Sequence, residues 1–292
     1  MQSSQPTEGQ ATTKSVLACI DSAAYSEAVC DYAAWISQRL SLPLQLFHNI
    51  NPPPKAAVDL SGAIGLGSQE LLLEELTTLE EERGRLLLKK GKLMLNAARE
   101  RVETLGILEP MLKQRHGPLA ESLLGMENDI RVLVMGIRNE QDLSDEKHLS
   151  AHLESTIRSL HSPILVVNSD FKVPERIMLA YDGSQASGKA LDMLAKSPLF
   201  KGIPVHLVTV GDGNAEALQA QATAKLTQSG HQVVGAILRG QPSQALCEYQ
   251  REHNIDLTLM GAFSHSKLRD IVLGSVTAKI LLGANKPLWL LR

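Results

Sequence analysis

Four short patterns occur twice in this chain, in the same order, and that repetition restricts the fold more than any other feature of the sequence. Ser15-Val-Leu-Ala-Cys-Ile-Asp21-Ser22 is matched by Arg176-Ile-Met-Leu-Ala-Tyr-Asp182-Gly183-Ser184, a short apolar run that ends in Asp and then a small residue. His116-Gly117-Pro118 is matched by Gly240-Gln241-Pro242, and Arg131-Val-Leu-Val-Met-Gly136 by Asp256-Leu-Thr-Leu-Met-Gly261. Ser162-Pro163-Ile-Leu-Val-Val167 is matched by Lys286-Pro287-Leu-Trp-Leu-Leu291. Four matches in one order make the halves homologous domains, and self-similarity of this kind sets the frame for every later assignment. The boundaries read as a disordered tail at 1–13, a first domain at 14–170, a linker at 171–174 and a second domain at 175–292. A chain of 292 residues has the length for two domains that each bury a core.

Within each half the apolar runs are short and continuous rather than alternating, as in parallel strands covered on both faces. The second half has candidate strands near Ile177–Tyr181, Val205–Val210, Gln232–Ile237, Leu257–Met260 and Leu288–Leu291. Amphipathic stretches at Gly188–Leu199, Ala215–Gln228, Ser243–His253 and Val276–Leu282 separate them. The first half follows the same plan, with strands near Val16–Ile20, Leu44–His48, Glu109–Lys113, Val132–Met135 and Ile164–Val167. Strand and helix alternation of this kind gives an α/β fold, a doubly wound five-stranded parallel sheet in each half with helices on both faces. Each half ends in an apolar strand whose edge needs pairing, so the two edges are expected to meet as a pseudo-dimer within the chain.

The first half carries an insertion at 50–105. It comprises the Pro- and Gly-containing loop from Asn51 to Ser68 and an extended helix from about Gln69 to Thr104. Its charges run from Glu74, Glu80, Glu81 and Glu82 to Arg85, Lys89, Lys90 and Lys92, the order a helix dipole favours. Leu72, Leu76, Leu79, Leu86 and Leu93 form an apolar stripe, read as the face that covers the helix's own sheet; a partner-binding role is the alternative.

A net charge of −3 gives no global pull toward nucleic acid or anionic lipid, and 3% aromatic residues leave few platforms for stacking bases. The start lacks a basic segment followed by an apolar one, so no secretory signal is read. No apolar run reaches the length of a membrane span. Cys19, Cys30 and Cys247 form no CxxC pair and no cluster with His, which argues against a disulfide framework or a thiolate metal site and fits a cytoplasmic chain.

In open α/β sheets ligands gather where the strand order reverses, at the carboxyl ends of the first and fourth strands. In the second half those loops hold Asp182-Gly183-Ser184 and Gly261-Ala262-Phe263-Ser264, followed after nine residues by Gly274-Ser275-Val276-Thr277. Gly274-Ser275 at a helix start offers free amides and the positive end of the dipole, and a carboxylate such as Asp182 can accept from a ribose hydroxyl or an adenine amino group. With the repeat, this constellation resembles the universal stress protein family, whose nucleotide-binding members carry G-x2-G-x9-G-[ST] after the fourth strand and an Asp after the first. The likeness covers nearly the whole chain and points to tandem members, with strand order 3-2-1-4-5 in each half. It implies that Val210 and Met260 border an adenine, that Gly261, Ser264, Gly274 and Ser275 hold phosphates, and that Val276 is also at the nucleotide.

Ser264 stands where the family's second glycine belongs. In the first half Gly136-Ile-Arg-Asn139 is followed by Ser150-Ala151, and Asn49 replaces Val210, so that half reads as a scaffold with a degenerate site. Gly183 to Lys189 fits G-x4-G-K, but Ala190 lacks the magnesium-binding hydroxyl of a P-loop, and a Ser184 helix cap explains the segment. His148 and His152 have no third ligand in view, and His265 beside Ser264 reads as an exposed loop histidine. No GxSxG elbow, HExxH motif or divided pair of carboxylates occurs, so the chain carries no catalytic machine and at most very slow ATP hydrolysis. The reading is a non-catalytic stress-response or regulatory protein that binds ATP, with or without Mg, or a related adenine nucleotide, in its C-terminal domain. Its partners are then that nucleotide, itself, and an unidentified protein, with no nucleic acid and no membrane. The alternative is an interaction protein of the same fold that binds no nucleotide; an adenylating enzyme on a related fold lacks its nucleotide signatures.

Overall fold

The computed structural model describes residues 13–51, 66–138, 149–262 and 274–292. Nearly all of the tail read at 1–13, most of the loop from Asn51 to Ser68, and Asn139, His148, Ser264 and His265 lie outside the described residues.

The first half contributes β1 (Ser15–Cys19), α1 (Ser26–Leu40), β2 (Leu44–Ile50), α2 (Leu66–Thr104), β3 (Met111–His116), α3 (Leu119–Leu124), β4 (Ile130–Gly136), α4 (Ala151–Ser159) and β5 (Ile164–Val167). The second contributes β6 (Ile177–Ala180), α5 (Gln185–Lys196), β7 (Val205–Val210), α6 (Ala215–Gln228), β8 (Val233–Leu238), α7 (Pro242–Glu252), β9 (Leu257–Gly261), α8 (Ser275–Gly283) and β10 (Leu288–Leu291). The third strand of the first half starts later than its apolar residues suggest, because Glu109 turns the chain at φ 52°.

The ten strands among the described residues form one sheet, in the order β3-β2-β1-β4-β5-β10-β9-β6-β7-β8. Each half keeps the expected 3-2-1-4-5 order, and the two are fused into a single sheet through their last strands. That junction is antiparallel, with Leu288 opposite Val166, Trp289 opposite Leu165 and Leu290 opposite Ile164, whereas the other pairings are parallel. A mirrored strand order about one antiparallel pair is the arrangement of a pseudo-two-fold axis.

Every residue of β5 and β10 is buried. Side chains alternate across the sheet, as the strand period of two requires. Val16, Leu165, Leu179 and Trp289 enter the core on one face, and Leu17, Val166, Met178 and Leu288 enter the core on the other. Both cores draw on both halves, so burial is continuous across the junction. Trp289 meets Phe200 edge to face at 5.4 Å, and Tyr32 of α1 meets Phe171 of the connecting segment at 4.8 Å. Arg39, also on α1, donates to the carbonyls of Leu199 and Lys201 across the two halves.

Helix α2 begins earlier than read from the sequence and runs for 39 residues. Its last third docks as a cover helix should. Leu95, Ala98 and Val102 are buried, and the Arg101 guanidinium forks onto Asp31 at 2.7 and 2.8 Å and reaches Glu27 at 2.7 Å. Gly91 lies against β2 and β3, where a Cβ would come within 2.1 Å of Gln114 and 2.5 Å of His48. The leucine stripe does not pack: Leu79, Leu86 and Leu93 are 57, 66 and 61% exposed, and no residue from Glu74 to Lys90 is buried. At about 100° per residue, Leu86 lies roughly half a turn around the helix from Leu95 and Val102, so docking one face leaves the other in solvent.

Candidate functional site

Strand β6 is flanked by β9 and β7, so the chain leaves β6 and β9 in opposite senses and their following loops part at the carboxyl end of the sheet. A cavity of about 250 Å³ opens there. Its apolar wall is Val208, Val210, Leu246, Met260 and Val276, and its polar groups come from Asp182, Ser184, Ser187 and Thr277. An apolar pocket with a few convergent polar groups is the usual form of a small-molecule site.

The turn after β6 is built locally. Gly183 takes φ 74°, and a Cβ there would also come within 2.9 Å of Leu218. Asp182 accepts from the Ser184 amide at 3.0 Å, and Ser184 Oγ accepts from the Ser187 amide at 3.2 Å, capping α5 as expected. Ala190, Leu191 and Leu194 of that helix are buried, and Lys189 points elsewhere, donating to the Arg292 carbonyl at 2.9 Å. The Gly183–Lys189 segment is therefore a capped helix start.

Gly261, at the end of β9, makes a close packing approach. Its missing Cβ faces the first turn of α5, 2.7 Å from the Ala186 methyl and 3.0 Å from the Ser187 nitrogen. The glycine lets the helix that borders the cavity close onto the strand. At the far rim, Thr277 donates to the Ala262 carbonyl at 3.2 Å and so ties the first turn of α8 to the end of β9. Gly274 is the N-cap of α8 and has no side chain with which to cap it.

Of the residues singled out from the sequence, Asp182, Val210, Met260, Gly261 and Val276 line the cavity. Gly274 and Ser275 open α8 directly before Val276. Ser264 lies outside the described residues. Sequence reasoning missed Pro242 and Leu246, which reach the cavity from α7, and Thr277 and Ser187. The repeated turn Gly240-Gln241-Pro242 was the available signal: Pro242 opens α7, and Leu246 follows one helical turn later on the same side.

The corresponding place in the first half is filled with polar contacts. Asn49, at the position of Val210, donates to the Gly117 carbonyl at 2.7 Å and to Asn51 at 2.8 Å. Asn51 in turn meets His152 in the first turn of α4 at 3.3 Å. Ser150 caps that helix by accepting from the Leu153 amide at 3.0 Å, the bond that Gly274 cannot make in α8. Cys19 ends β1, and burial and Asp21 push its thiol pKa far up; burial raises that of Cys30 to about 12. All three cysteines are free, and among the described residues no group of three or more His, Cys, Asp or Glu could hold a metal ion.

No helix among the described residues is long and apolar enough to cross a membrane. The Universal stress protein family pattern matches residues 12–168 and 211–292. The Universal stress protein Slr1230 of Synechocystis sp. is 34% identical over 281 residues, covering 94% of this chain and 98% of the relative. A crystal structure of a universal stress protein from Archaeoglobus fulgidus DSM 4304 superposes with a TM-score of 0.72 at 16% identity, over 97% of this chain and 99% of that one. A universal stress protein from Archaeoglobus fulgidus in complex with dAMP matches 41% of this chain and all of its own length, with a TM-score of 0.33 and 19% identity. With two family matches in one chain and a relative similar from end to end, the chain belongs to the universal stress protein family.

Proposed function

We propose that this chain is a non-catalytic regulatory protein that binds ATP, or a related adenine nucleotide, once, in its C-terminal half. The carrying observation is the contrast between the two helix starts: Ser150 spends its hydroxyl on the amide of Leu153, whereas Gly274 leaves the first amides of α8 without a side-chain cap, next to an apolar cavity. An adenine ring fits between Val210 and Met260, Asp182 accepts from ribose or base, and the open amides of Ser275 and Val276 take phosphate oxygens. The described residues offer a Mg ion no ready-made cluster, so any metal would arrive with the nucleotide. Among the described residues Asp182 is the one carboxylate lining the cavity and is assigned to ribose or base, and amides alone orient a phosphate without activating water. ATP turnover with Mg should stay far below the ordinary enzyme range of roughly 1 per second or more.

Isothermal calorimetry with ATP on the purified chain tests the proposal. One binding event per chain supports it. A stoichiometry of two would make the first half functional, and no heat would favour the nucleotide-free interaction protein.

A further inference from the structure

Between Glu74 and Glu82 helix α2 carries five Glu and no cation, and between Arg83 and Lys92 it carries five Lys or Arg and no carboxylate. A helix dipole does not account for this. Its influence fades within the first and last turns, but the acidic run, which begins at Glu70, continues to Glu82, sixteen residues inside the helix, and the basic block ends twelve residues before its end. Beyond Lys92 the helix mixes both signs, at Arg99, Glu100, Arg101 and Glu103. The segregation falls only where the helix leaves its own sheet, and there Leu79, Leu86 and Leu93 stand exposed at seven-residue intervals on the face away from the docked side.

We infer that this segment is a self-association surface: two copies of the chain pair through α2 in antiparallel fashion, centred on Leu86. In that arrangement Leu86 packs on its own counterpart, and Leu79 of each copy packs on Leu93 of the other. A seven-residue spacing keeps all three contacts on one seam. The acidic half of each helix then lies along the basic half of the other. Glu82, four residues before the centre, comes opposite Lys89, three residues after it, and the pairing occurs twice by symmetry. A parallel pairing would set five Glu against five Glu and five cations against five cations, so the charge pattern itself selects direction. A third kind of molecule would need both a leucine seam and the inverse charge order; a second copy of this helix supplies both. The seam is small for an interface, which makes the dimer weak and sensitive to salt.

Sedimentation velocity across a micromolar concentration series, at low and high salt, tests the inference. The unaltered chain should dimerise with concentration, and salt should weaken the dimer. Leu86→Glu should shift dissociation about a hundredfold or more, because it removes both leucines of the central contact and sets two carboxylates together. Glu82→Lys and Lys89→Glu should each weaken the dimer, and the double exchange Glu82→Lys with Lys89→Glu should restore it, an outcome that a mere change in surface charge does not give. All these positions are exposed, and an unchanged thermal melt checks that the fold is intact. A chain that stays monomeric, a dimer indifferent to Leu86→Glu, or failure of the double exchange to restore association overturns the inference. None of these outcomes bears on ATP binding, which calorimetry reads separately.

Discussion

Gly261 and Ala186 sit so close that a β-carbon on the glycine would lie 2.7 Å from the alanine methyl, nearer than real side chains approach. Because Ala186 belongs to the first turn of α5 and Ser184 and Ser187 beside it border the cavity, Gly261→Ala must push that helix outward. Overpacking of this kind costs about 1–3 kcal/mol. The equivalent Gly136 has 3.1 Å to the Arg138 carbonyl as its tightest neighbour, so Gly136→Ala should cost less. Thermal melts of the two variants check the order, and ATP calorimetry should show weakened binding for the first only.

Gly274→Val places a branched side chain at the start of α8, across the path to the amides of Ser275 and Val276. Affinity for ATP should fall at least tenfold, about 1.4 kcal/mol or more, with little change in stability. Ser150→Ala should do the reverse. Loss of the bond from the Leu153 amide costs about 1 kcal/mol of stability and leaves ATP affinity untouched. Calorimetry and chemical denaturation on the same two proteins separate these effects.

Asp256 ties the start of the second half to the connecting segment. Burial alone would raise its pKa, but hydrogen bonds from Lys172 Nζ at 2.9 Å and from the amides of Glu175 and Arg176 at 2.9 and 3.2 Å outweigh it and hold the carboxyl below its ordinary 3.8. A carboxyl whose pKa is lower folded than unfolded stabilises fully above the unfolded value and loses that contribution as pH falls through the folded one. Asp256→Ala leaves two amides without acceptors and should cost about 2 kcal/mol at neutral pH. The difference in urea midpoint between the two proteins should hold from pH 7 to 5 and shrink below pH ~4.

Trp289→Ala should empty the centre of the junction, where the indole is 1% exposed and meets Phe200. A loss of about 3–5 kcal/mol is expected. Since both cores draw on both halves, denaturation followed by a first-half and a second-half probe should give one coincident, shifted transition rather than two.

The strand order followed from the family resemblance, and the meeting of the two halves was legible because four motifs repeat and because Ile164–Val167 and Leu288–Leu291 are apolar throughout, as burial on both faces requires. Asp182 was legible as a cavity residue from its place at a strand end, and Val210 and Met260 from the family resemblance. The reason for Gly261 was not, since nothing in a linear sequence says that Ala186 will cross 2.7 Å from it. Pro242 and Leu246 were missed because helix α7 reaches the cavity only through the pairing of β7 with β8. The stripe on α2 was read as packed because leucine spacing reveals that a face exists without saying what covers it.

The antiparallel register of Leu165 with Trp289 has a last consequence. Were the two halves separate subunits, they would exchange at dilution, and like could pair with like. Joined in one polypeptide, the half with the capped helix start and the half with the open one are always matched one to one, whatever the amount of protein made. Such a pair tolerates unequal halves: the first carries the polar cluster around Asn49 where the second carries Val210, and what each must keep is the edge it presents to the other.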